Sequence, residues 1–231
     1  MLLGELLKST KKKYKNIPVR GISFDSRKVK KNYIFFAIKG NKLSGHKFIN
    51  EAISNGASAV VCNKKIKIKK NEVPLLVVHD TRKTLSEVSA KFYKQKINNI
   101  IAVTGTNGKS SVASFFYQIL NLNKIKVASI GTLGVFTKNY KKKLNLTSVD
   151  PPLLHKNLKI LYKKKIKNVI LEASSHGLNQ KRLDNLKIKV GIFTNLSHDH
   201  LDYHKSMKSY FNSKMHLFKN LLPKNSTIIT D

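Results

Sequence analysis

Residues 103–111 read Val103-Thr104-Gly105-Thr106-Asn107-Gly108-Lys109-Ser110-Ser111, between an apolar run that ends at Val103 and a helical pattern that begins at Val112. A strand, a glycine turn and a helix in this order form a cradle for phosphate, because glycines admit main-chain N–H groups and the helix N-terminus carries partial positive charge. Lys109 can reach the terminal phosphates, and the Ser110 hydroxyl can ligate Mg²⁺. An ordinary strand-to-helix turn is the simpler alternative, since Val103 replaces the first glycine of the common phosphate-loop pattern. The flanking context favours a nucleoside triphosphate site.

Length and composition limit the classes of protein to which the chain can belong. At 231 residues the chain has room for two modest domains or one large one, and an apolar fraction of 41% permits buried cores. Cys62 is the single cysteine, which excludes an internal disulfide. The N-terminus lacks the apolar region of a signal peptide, and no apolar run is long enough to cross a bilayer. We expect a cytoplasmic protein without a membrane span.

The formal net charge of +33 raises a second class of function, the binding of nucleic acid or another polyanion. Only four of the 45 basic residues are arginine, and the lysines are spread along the whole chain together with many Asn and Ile residues. Groove recognition favours clustered arginine, whereas this mixture is typical of an AT-rich genome. We interpret the charge as a solvated surface. A basic polyanion-binding or nucleic-acid-binding protein with a vestigial nucleotide fold stays the alternative.

The order of the predicted elements indicates two α/β domains, residues 1–97 and residues 98–231. In the first domain, Asp80 is suited to cap a helix, and the lysine-rich run 64–70 indicates an exposed edge or loop. The strands predicted there lie near 19–24, 33–38, 59–62 and 74–78, and the helices near 48–56 and 81–96.

The second domain alternates strands and helices, which predicts a P-loop, doubly wound, mostly parallel sheet. Its predicted strands lie near 100–104, 126–130, 168–173, 189–195 and 226–230, its helices near 109–122, 151–165 and 206–219, and a hairpin or loop at 131–145. Ligands of such sheets gather at the carboxyl ends of the strands.

Two further groups of polar residues follow predicted strands. Glu172 comes directly after three apolar residues, where a carboxylate can hold Mg²⁺ or position a nucleophile. A serine hydrolase is disfavoured, because no G-x-S-x-G turn surrounds Ser174 or Ser175. Residues 198–204 hold three histidines and two aspartates, but their spacing fits no zinc motif and no cysteine is near.

Taken together, these motifs resemble the Mur ligase family. The resemblance covers essentially the whole chain and rests on DSR at 25–27, FFAIKG at 35–40, GHKFI at 45–49, TGTNGKSS at 104–111, EASSHGLNQKR at 172–182, NLSHDHLDYH at 195–204 and YFNSKMHLF at 210–218. The motifs at 172–182 and 195–204 are similar to those of the MurE type, the subgroup that extends UDP-N-acetylmuramoyl-L-alanyl-D-glutamate. The chain departs from the family at three positions: Asn32 stands where Gly-Asp is usual, Ser44 replaces the aspartate before Gly45-His46, and Val149 replaces a proline.

The resemblance implies roles for individual residues. ATP would be held by Gly105, Thr106, Asn107, Gly108, Lys109, Ser110 and Ser111. Mg²⁺ would be held by Ser110, Glu172, His200 and Lys214, the last as a carbamylated lysine; Lys109, Glu172, His200 and Lys214 would be the catalytic residues. The UDP-sugar peptide would contact Ser26 through its uridine, His46 near its diphosphate, and Thr147, Ser148, Ser174, Gln180 and Arg182 through its muramoyl dipeptide.

The activity that the resemblance implies is an ATP-dependent, Mg²⁺-dependent amide ligation in peptidoglycan synthesis, with ATP and Mg²⁺ as cofactors. The partners would be UDP-N-acetylmuramoyl dipeptide and a diamino acid, meso-diaminopimelate in preference to L-lysine, and no specific nucleic acid. The family has a third, C-terminal domain, which we expect to be missing after Asp231, and the 231-residue chain is expected to be an inactive monomer.

Overall fold

The computed structural model describes residues 1–40, 43–66 and 73–230, and the chain divides into two compact units, residues 1–92 and residues 93–231. The boundary lies five residues before the one expected from the sequence. The reason is that the helix predicted over 81–96 ends at Phe92, and Ile97 is already buried in the core of the second unit.

The first unit is a four-stranded parallel sheet in the order β1-β2-β3-β4. Its strands are β1 (Gly21–Ser23), β2 (Tyr33–Phe36), β3 (Ala57–Cys62) and β4 (Leu75–Val77), and its helices are α1 (Leu3–Leu6), α2 (Ile49–Ser54) and α3 (Thr81–Phe92). Alternate residues of β2 face opposite sides: Ile34 and Phe36 join the core under α1 and α3, whereas Phe35 joins the core under α2. The sheet is therefore covered on both faces.

Most predicted elements of this unit are present. The Asp80 carboxylate accepts a hydrogen bond from the main-chain N–H of Lys83 at 2.9 Å, which confirms it as a helix cap. The helix α1 was not predicted, and part of the lysine-rich run lies outside the described residues, which omit 67–72.

Asn32 adopts a left-handed backbone conformation, with φ of 66°. Glycine takes this conformation without steric cost, and asparagine tolerates it better than most other residues. Asparagine is thus compatible with the left-handed conformation that precedes β2.

The second unit is a seven-stranded sheet in the order β11-β10-β5-β9-β6-β7-β8, parallel except for the β6-β7-β8 meander. Its strands are β5 (Asn99–Thr104), β6 (Val127–Gly131), β7 (Gly134–Thr137), β8 (Tyr140–Lys142), β9 (Asn168–Glu172), β10 (Ile188–Phe193) and β11 (Thr227–Thr230). Its helices are α4 (Lys109–Leu122), α5 (Pro151–Lys163), α6 (Ser175–Asn179), α7 (Leu201–His204) and α8 (Met207–His216), with a π-helical turn at Leu217–Leu221. The predicted mostly parallel α/β fold is confirmed.

Helices pack on both faces of this sheet. On one face, Ala113 of α4 packs with Ile101, Val103 and Ile170. On the other face, the core includes Leu158 of α5 and alternate residues of the same strands. The doubly wound arrangement follows from strands that are apolar at nearly every position.

Three helices of this unit end in the same hydrogen-bonded turn, in which a lysine adopts the left-handed conformation. After α4, Lys124 has φ of 59°, and the N–H of Ile125 donates to the oxygen of Leu120 at 2.9 Å. The same pattern of hydrogen bonds follows α5 at Lys165 and α6 at Lys181. This is the Schellman motif, in which glycine usually occupies the left-handed position.

Candidate nucleotide and metal site

The loop between β5 and α4 contains two glycines with positive φ. Gly105 has φ of 146° and Gly108 has φ of 81°. A Cβ at Gly105 would overlap the Thr194 hydroxyl, whereas a Cβ at Gly108 would meet nothing closer than 3.8 Å. Gly105 is therefore required by packing, and Gly108 by backbone conformation.

Residues that follow β10 brace the other side of this loop. The main-chain oxygen of Asn195 accepts from the N–H of Thr106 at 2.9 Å, and its side-chain oxygen accepts from the N–H of Asn107 at 2.9 Å. The Thr194 hydroxyl donates to the oxygen of Asn107 at 2.6 Å. The loop is thus held by hydrogen bonds to the two residues that follow the neighbouring strand.

The start of α4 presents main-chain donors. Its first helical hydrogen bond runs from the N–H of Val112 to the oxygen of Gly108 at 2.9 Å. The N–H groups of Lys109, Ser110 and Ser111 precede it, so they have no acceptor within the helix. Such a cluster of N–H groups at a helix N-terminus suits phosphate oxygens.

The carboxylate of Glu172, at the end of β9, lies against this helix. It accepts hydrogen bonds from the Ser110 hydroxyl at 2.8 Å and from the N–H and hydroxyl of Thr132 at 2.9 and 3.0 Å. Thr132 in turn contacts the Thr147 hydroxyl at 3.0 Å. A Cβ at Gly131 would overlap the carboxylate, so glycine leaves the space that Glu172 fills.

Two lysine side chains, one from α4 and one from α8, donate hydrogen bonds to main-chain oxygens of this loop. Lys109 donates to the oxygens of Gly105 and Thr106 at 2.9 and 2.7 Å, and Lys214 of α8 donates to the oxygen of Gly105 at 2.6 Å. Burial lowers the pKa of Lys109. Burial and the charge of Lys109 lower the pKa of Lys214 to about 7.

His200 lies at the entrance of α7 in a left-handed conformation, with φ of 52°. The main-chain N–H of His200 donates to the Asp199 carboxylate at 2.8 Å. The rings of His200 and His176 meet edge to face, with their centroids 4.8 Å apart. Tyr210 lies beneath, and its hydroxyl contacts the Thr106 hydroxyl at 3.1 Å. Burial lowers the pKa of His176, so its neutral form is favoured.

The residues assigned by resemblance to the muramoyl dipeptide form a network of their own. The buried Ser148 hydroxyl donates to the oxygen of Glu172 at 2.9 Å and accepts from the N–H of Ser174 at 2.9 Å. Arg182 donates to the oxygen of Ser148 at 2.6 Å and to the Gln180 side-chain oxygen at 2.8 and 3.2 Å. Many of the hydrogen-bonding groups of these residues are thus already paired within the protein.

Ser26 and His46 belong to the first unit. Ser26 is buried at the start of a short 3₁₀ turn, which the Asp25 carboxylate caps at 3.2 Å from the N–H of Arg27. The ring of His46 hydrogen-bonds the Ser44 hydroxyl at 2.9 Å, and Ser44 is the residue that stands in place of aspartate. Burial and then the charge of Lys64 lower the pKa of His46.

Among the sequence-predicted residues, the structure brings one group together around a cavity of about 300 Å³. The lining includes Gly105–Ser111, Thr147, Glu172, Ser174, His200 and Lys214. Thr132, Ser175 and Tyr210 also line it and were not predicted as site residues. Thr132 lies in no motif, and Tyr210 opens the motif at 210–218 but has no chemical role that the motif alone indicates. The described residues contain no group of three or more His, Cys, Asp or Glu side chains that could hold a metal by themselves.

The residues present nevertheless fit a nucleotide with a bound metal ion. Hydroxyl and carboxylate oxygens of Ser110 and Glu172 are donors that Mg²⁺ prefers, and phosphate oxygens can complete its shell. The main-chain N–H groups and Lys109 supply the positive charge that phosphates need.

Comparison with known families identifies the chain. The family described as "Mur ligase middle domain" matches residues 103–231, more than half of the chain. The chain belongs to the Mur ligase family. The description "Mur ligase family, catalytic domain" matches residues 18–93 as well, so that both units carry a match.

Curated Mur ligases resemble the chain at about 40% identity. Proteins named UDP-N-acetylmuramoyl-L-alanyl-D-glutamate--2,6-diaminopimelate ligase from Brucella melitensis and Aquifex aeolicus are both 42% identical, over 92% and 87% of the chain. The homologue from Rickettsia prowazekii is 40% identical over 94% of the chain. The chain spans 44%, 41% and 46% of these three relatives, less than half of each.

Solved structures agree on the fold. A structure of a protein with the same ligase name superposes with a TM-score of 0.83 at 28% identity, covering all of this chain and 52% of the other. The MurF ligase of Thermotoga maritima superposes with a TM-score of 0.62 at 21% identity, covering 92% of this chain and 45% of the other, which shows the shared Mur ligase fold. No helix in residues 1–40, 43–66 or 73–230 has the length and apolar character of a membrane span.

Proposed function

We propose that the chain provides the UDP-sugar-binding and ATP-binding part of a ligase that adds a diamino acid to UDP-N-acetylmuramoyl-L-alanyl-D-glutamate. The proposal rests on the 2.8 Å hydrogen bond between the Ser110 hydroxyl and the Glu172 carboxylate. This pair lies next to the glycine loop, to which Lys109 and Lys214 donate hydrogen bonds. Relatives at about 40% identity are named as ligases that use 2,6-diaminopimelate, which makes that diamino acid the proposed substrate.

The chemistry is an amide synthesis in two steps. The D-glutamate carboxylate attacks the γ-phosphorus of ATP, ADP leaves, and an acyl phosphate forms. The amine of the diamino acid then attacks the acyl carbon and releases phosphate. Phosphoryl transfer depends mainly on positioning and charge neutralisation, which Lys109 and the N–H groups at the start of α4 supply.

Ser110 and Glu172 are the proposed holders of Mg²⁺, which would neutralise charge on the phosphates when bound. His200 is proposed as a further ligand, since it lines the same cavity. Lys214 is the proposed site of carbamylation, which would convert a buried cation into an oxygen ligand for a second ion.

Binding measurements on the 231-residue chain test the proposal. Calorimetric titration with ATP and Mg²⁺ should show saturable binding that Lys109→Ala weakens at least about 10-fold, because a charge-assisted contact contributes roughly 1.5–3 kcal/mol. Lys141→Ala, at an exposed position of β8, is the matched control and should bind like the wild type.

The same preparation is titrated with UDP-N-acetylmuramoyl-L-alanyl-D-glutamate and with duplex DNA across a salt series. We expect the UDP-sugar to bind and the DNA to dissociate at physiological salt. DNA binding that persists at that salt, with no UDP-sugar bound, would establish the polyanion-binding alternative instead.

A further inference from the structure

Tyr203 lies beside the candidate site, although no role has been given to it so far. It belongs to α7, and its half-buried ring lies 4.1 Å from the ring of His176, centroid to centroid. His176 in turn contacts His200, which lines the nucleotide cavity. Two aromatic contacts therefore connect the Tyr203 ring to a residue that lines the nucleotide cavity.

Two amide groups donate hydrogen bonds to the Tyr203 phenol oxygen. The donors are the side-chain nitrogens of Asn179, at 3.0 Å, and of Gln180, at 3.1 Å. The orientation of Gln180 is fixed on its other side, because its oxygen accepts from Arg182, and a guanidinium can only donate. Gln180 must therefore present its NH₂ group to Tyr203.

These two contacts decide where the phenol proton goes. A phenol oxygen has two lone pairs and one O–H, and both lone pairs of Tyr203 are engaged by N–H donors. The proton cannot be donated to either amide nitrogen. Among the residues that the structure describes, none accepts a hydrogen bond from the Tyr203 hydroxyl. Tyr203 is thus held as a hydrogen-bond donor that can recognise oxygen acceptors and rejects N–H groups.

The rest of the network holds this donor in place. Arg182 also donates to the oxygen of Ser148 at 2.6 Å and lies 3.3 Å from the Asp150 carboxylate. The network therefore joins α6 and α7 to the loop before α5, in which resemblance places the contacts to the dipeptide. A donor fixed in advance loses little entropy when a ligand binds.

We propose that the Tyr203 hydroxyl donates a hydrogen bond to a carbonyl or carboxylate oxygen in the dipeptide part of the acceptor substrate. The inference rests on the proposed function. The dipeptide is the relevant part because its terminal carboxylate has to meet the nucleotide cavity, which the ring of His200 lines and to which His176 connects Tyr203. Tyr203 is thereby a substrate-binding residue in addition to those assigned by resemblance.

Three variants of the 231-residue chain separate the phenol proton from the rest of the network. Tyr203→Phe removes the proton together with the acceptor for both amides. Asn179→Asp keeps the phenol but offers it a carboxylate, which takes up the proton. Asn179→Ala removes one amide donor and leaves the proton free, and Asn179 itself is exposed.

Calorimetric titration measures the affinity of each variant for UDP-N-acetylmuramoyl-L-alanyl-D-glutamate, for UDP-N-acetylmuramic acid and for ATP with Mg²⁺. Tyr203→Phe and Asn179→Asp should both weaken binding of the dipeptide ligand by about 10-fold, the effect of one hydrogen bond to an oxygen acceptor. Asn179→Ala should bind it like the wild type. The affinities for UDP-N-acetylmuramic acid, which lacks the dipeptide, and for ATP should be the same in every variant as in the wild type.

The outcomes separate this inference from the function on which it rests. If the wild-type chain does not bind the dipeptide ligand, the proposed function fails and the inference fails with it. If the wild type binds and Tyr203→Phe or Asn179→Asp binds equally well, the role of Tyr203 alone is refuted. A loss that is the same for UDP-N-acetylmuramic acid would also refute it, because the effect would then be structural. Should Tyr203→Phe fail to fold, Asn179→Asp decides the question.

Discussion

The side-chain nitrogens of Lys109 and Lys214 converge on one acceptor, the main-chain oxygen of Gly105, at 2.9 and 2.6 Å. Lys214 is 1% exposed, and burial, together with the charge of Lys109, lowers its pKa from the ordinary 10.5 to about 7. A large fraction of Lys214 is therefore a neutral amine at neutral pH. The neutral amine is the form that attacks CO₂, so this arrangement prepares Lys214 for the proposed carbamylation.

We predict that ¹³C-labelled bicarbonate gives a carbamate signal in the NMR spectrum of the chain. The signal should grow as the pH rises through about 7, because the neutral fraction of Lys214 grows there. Lys214→Met should abolish it, whereas Lys219→Met, at an exposed position, should not. A signal that persists in Lys214→Met would place the modification elsewhere.

Gly131→Ala is predicted to weaken binding of ATP with Mg²⁺ by at least about 10-fold, comparable to the loss of a charge-assisted contact. The new Cβ would overlap the Glu172 carboxylate and displace it from Ser110. Thr132→Ser is the matched control, since it keeps the N–H and hydroxyl that Glu172 accepts from. Titration calorimetry measures both, and an unchanged affinity in Gly131→Ala would argue against Glu172 as a metal holder.

Ser148→Ala is predicted to reduce the free energy of unfolding by about 1–3 kcal/mol, because it leaves buried partners at Glu172 and Ser174 unpaired. Thr147→Ala should cost much less, since the contact between the Thr147 and Thr132 hydroxyls is exposed. Urea unfolding measures the two variants. Equal stability of the Ser148 variant and the wild type would show that Ser148 has no structural role beside the proposed ligand contact.

His155 is predicted to make the chain acid-sensitive. It is 1% exposed, and burial lowers its pKa from 6.5 to about 4. The folded state therefore binds fewer protons than the unfolded state, so stability is full above pH 6.5 and is lost progressively as the pH falls toward 4. At pH 5 the loss amounts to about 2 kcal/mol.

Urea unfolding of His155→Leu and wild type at pH 7 and pH 5 measures this effect. The variant should lose less stability than the wild type between the two pH values. His198→Leu, at an exposed histidine, should lose as much as the wild type. If His155→Leu has the same pH dependence as the wild type, another group causes the acid sensitivity.

Local patterns predicted the long elements well, and α4 shows why. Its start is given by Gly108 in front of Lys109 and its apolar period continues to Leu122, so the predicted bounds 109–122 are confirmed. The short helices α6 and α7 were missed, because five and four residues are too few to show a period. The entry of α7 also depends on the left-handed conformation of His200, which no propensity indicates.

Residues of the site were predictable only where a sequence motif indicates their chemical role. Lys109 and Glu172 could be assigned from the residues around them. Gly131 and Thr132 could not, because their importance comes from the sheet order, which places the end of β6 next to the end of β9. The convergence of Lys109 and Lys214 on one oxygen likewise joins residues 105 positions apart, and it appears only after the chain has folded.

The left-handed lysines of the three Schellman motifs have a consequence for the amount of folded protein. Lys124, Lys165 and Lys181 each hold backbone strain on the order of 1 kcal/mol relative to glycine, against a total stability of roughly 5–15 kcal/mol for a typical protein. A narrow margin makes the folded population responsive to anything that binds the native state, in proportion to ligand concentration over its dissociation constant. Under the proposed function, the supply of the nucleotide and of the UDP-sugar would then influence how long the folded chain survives proteolysis.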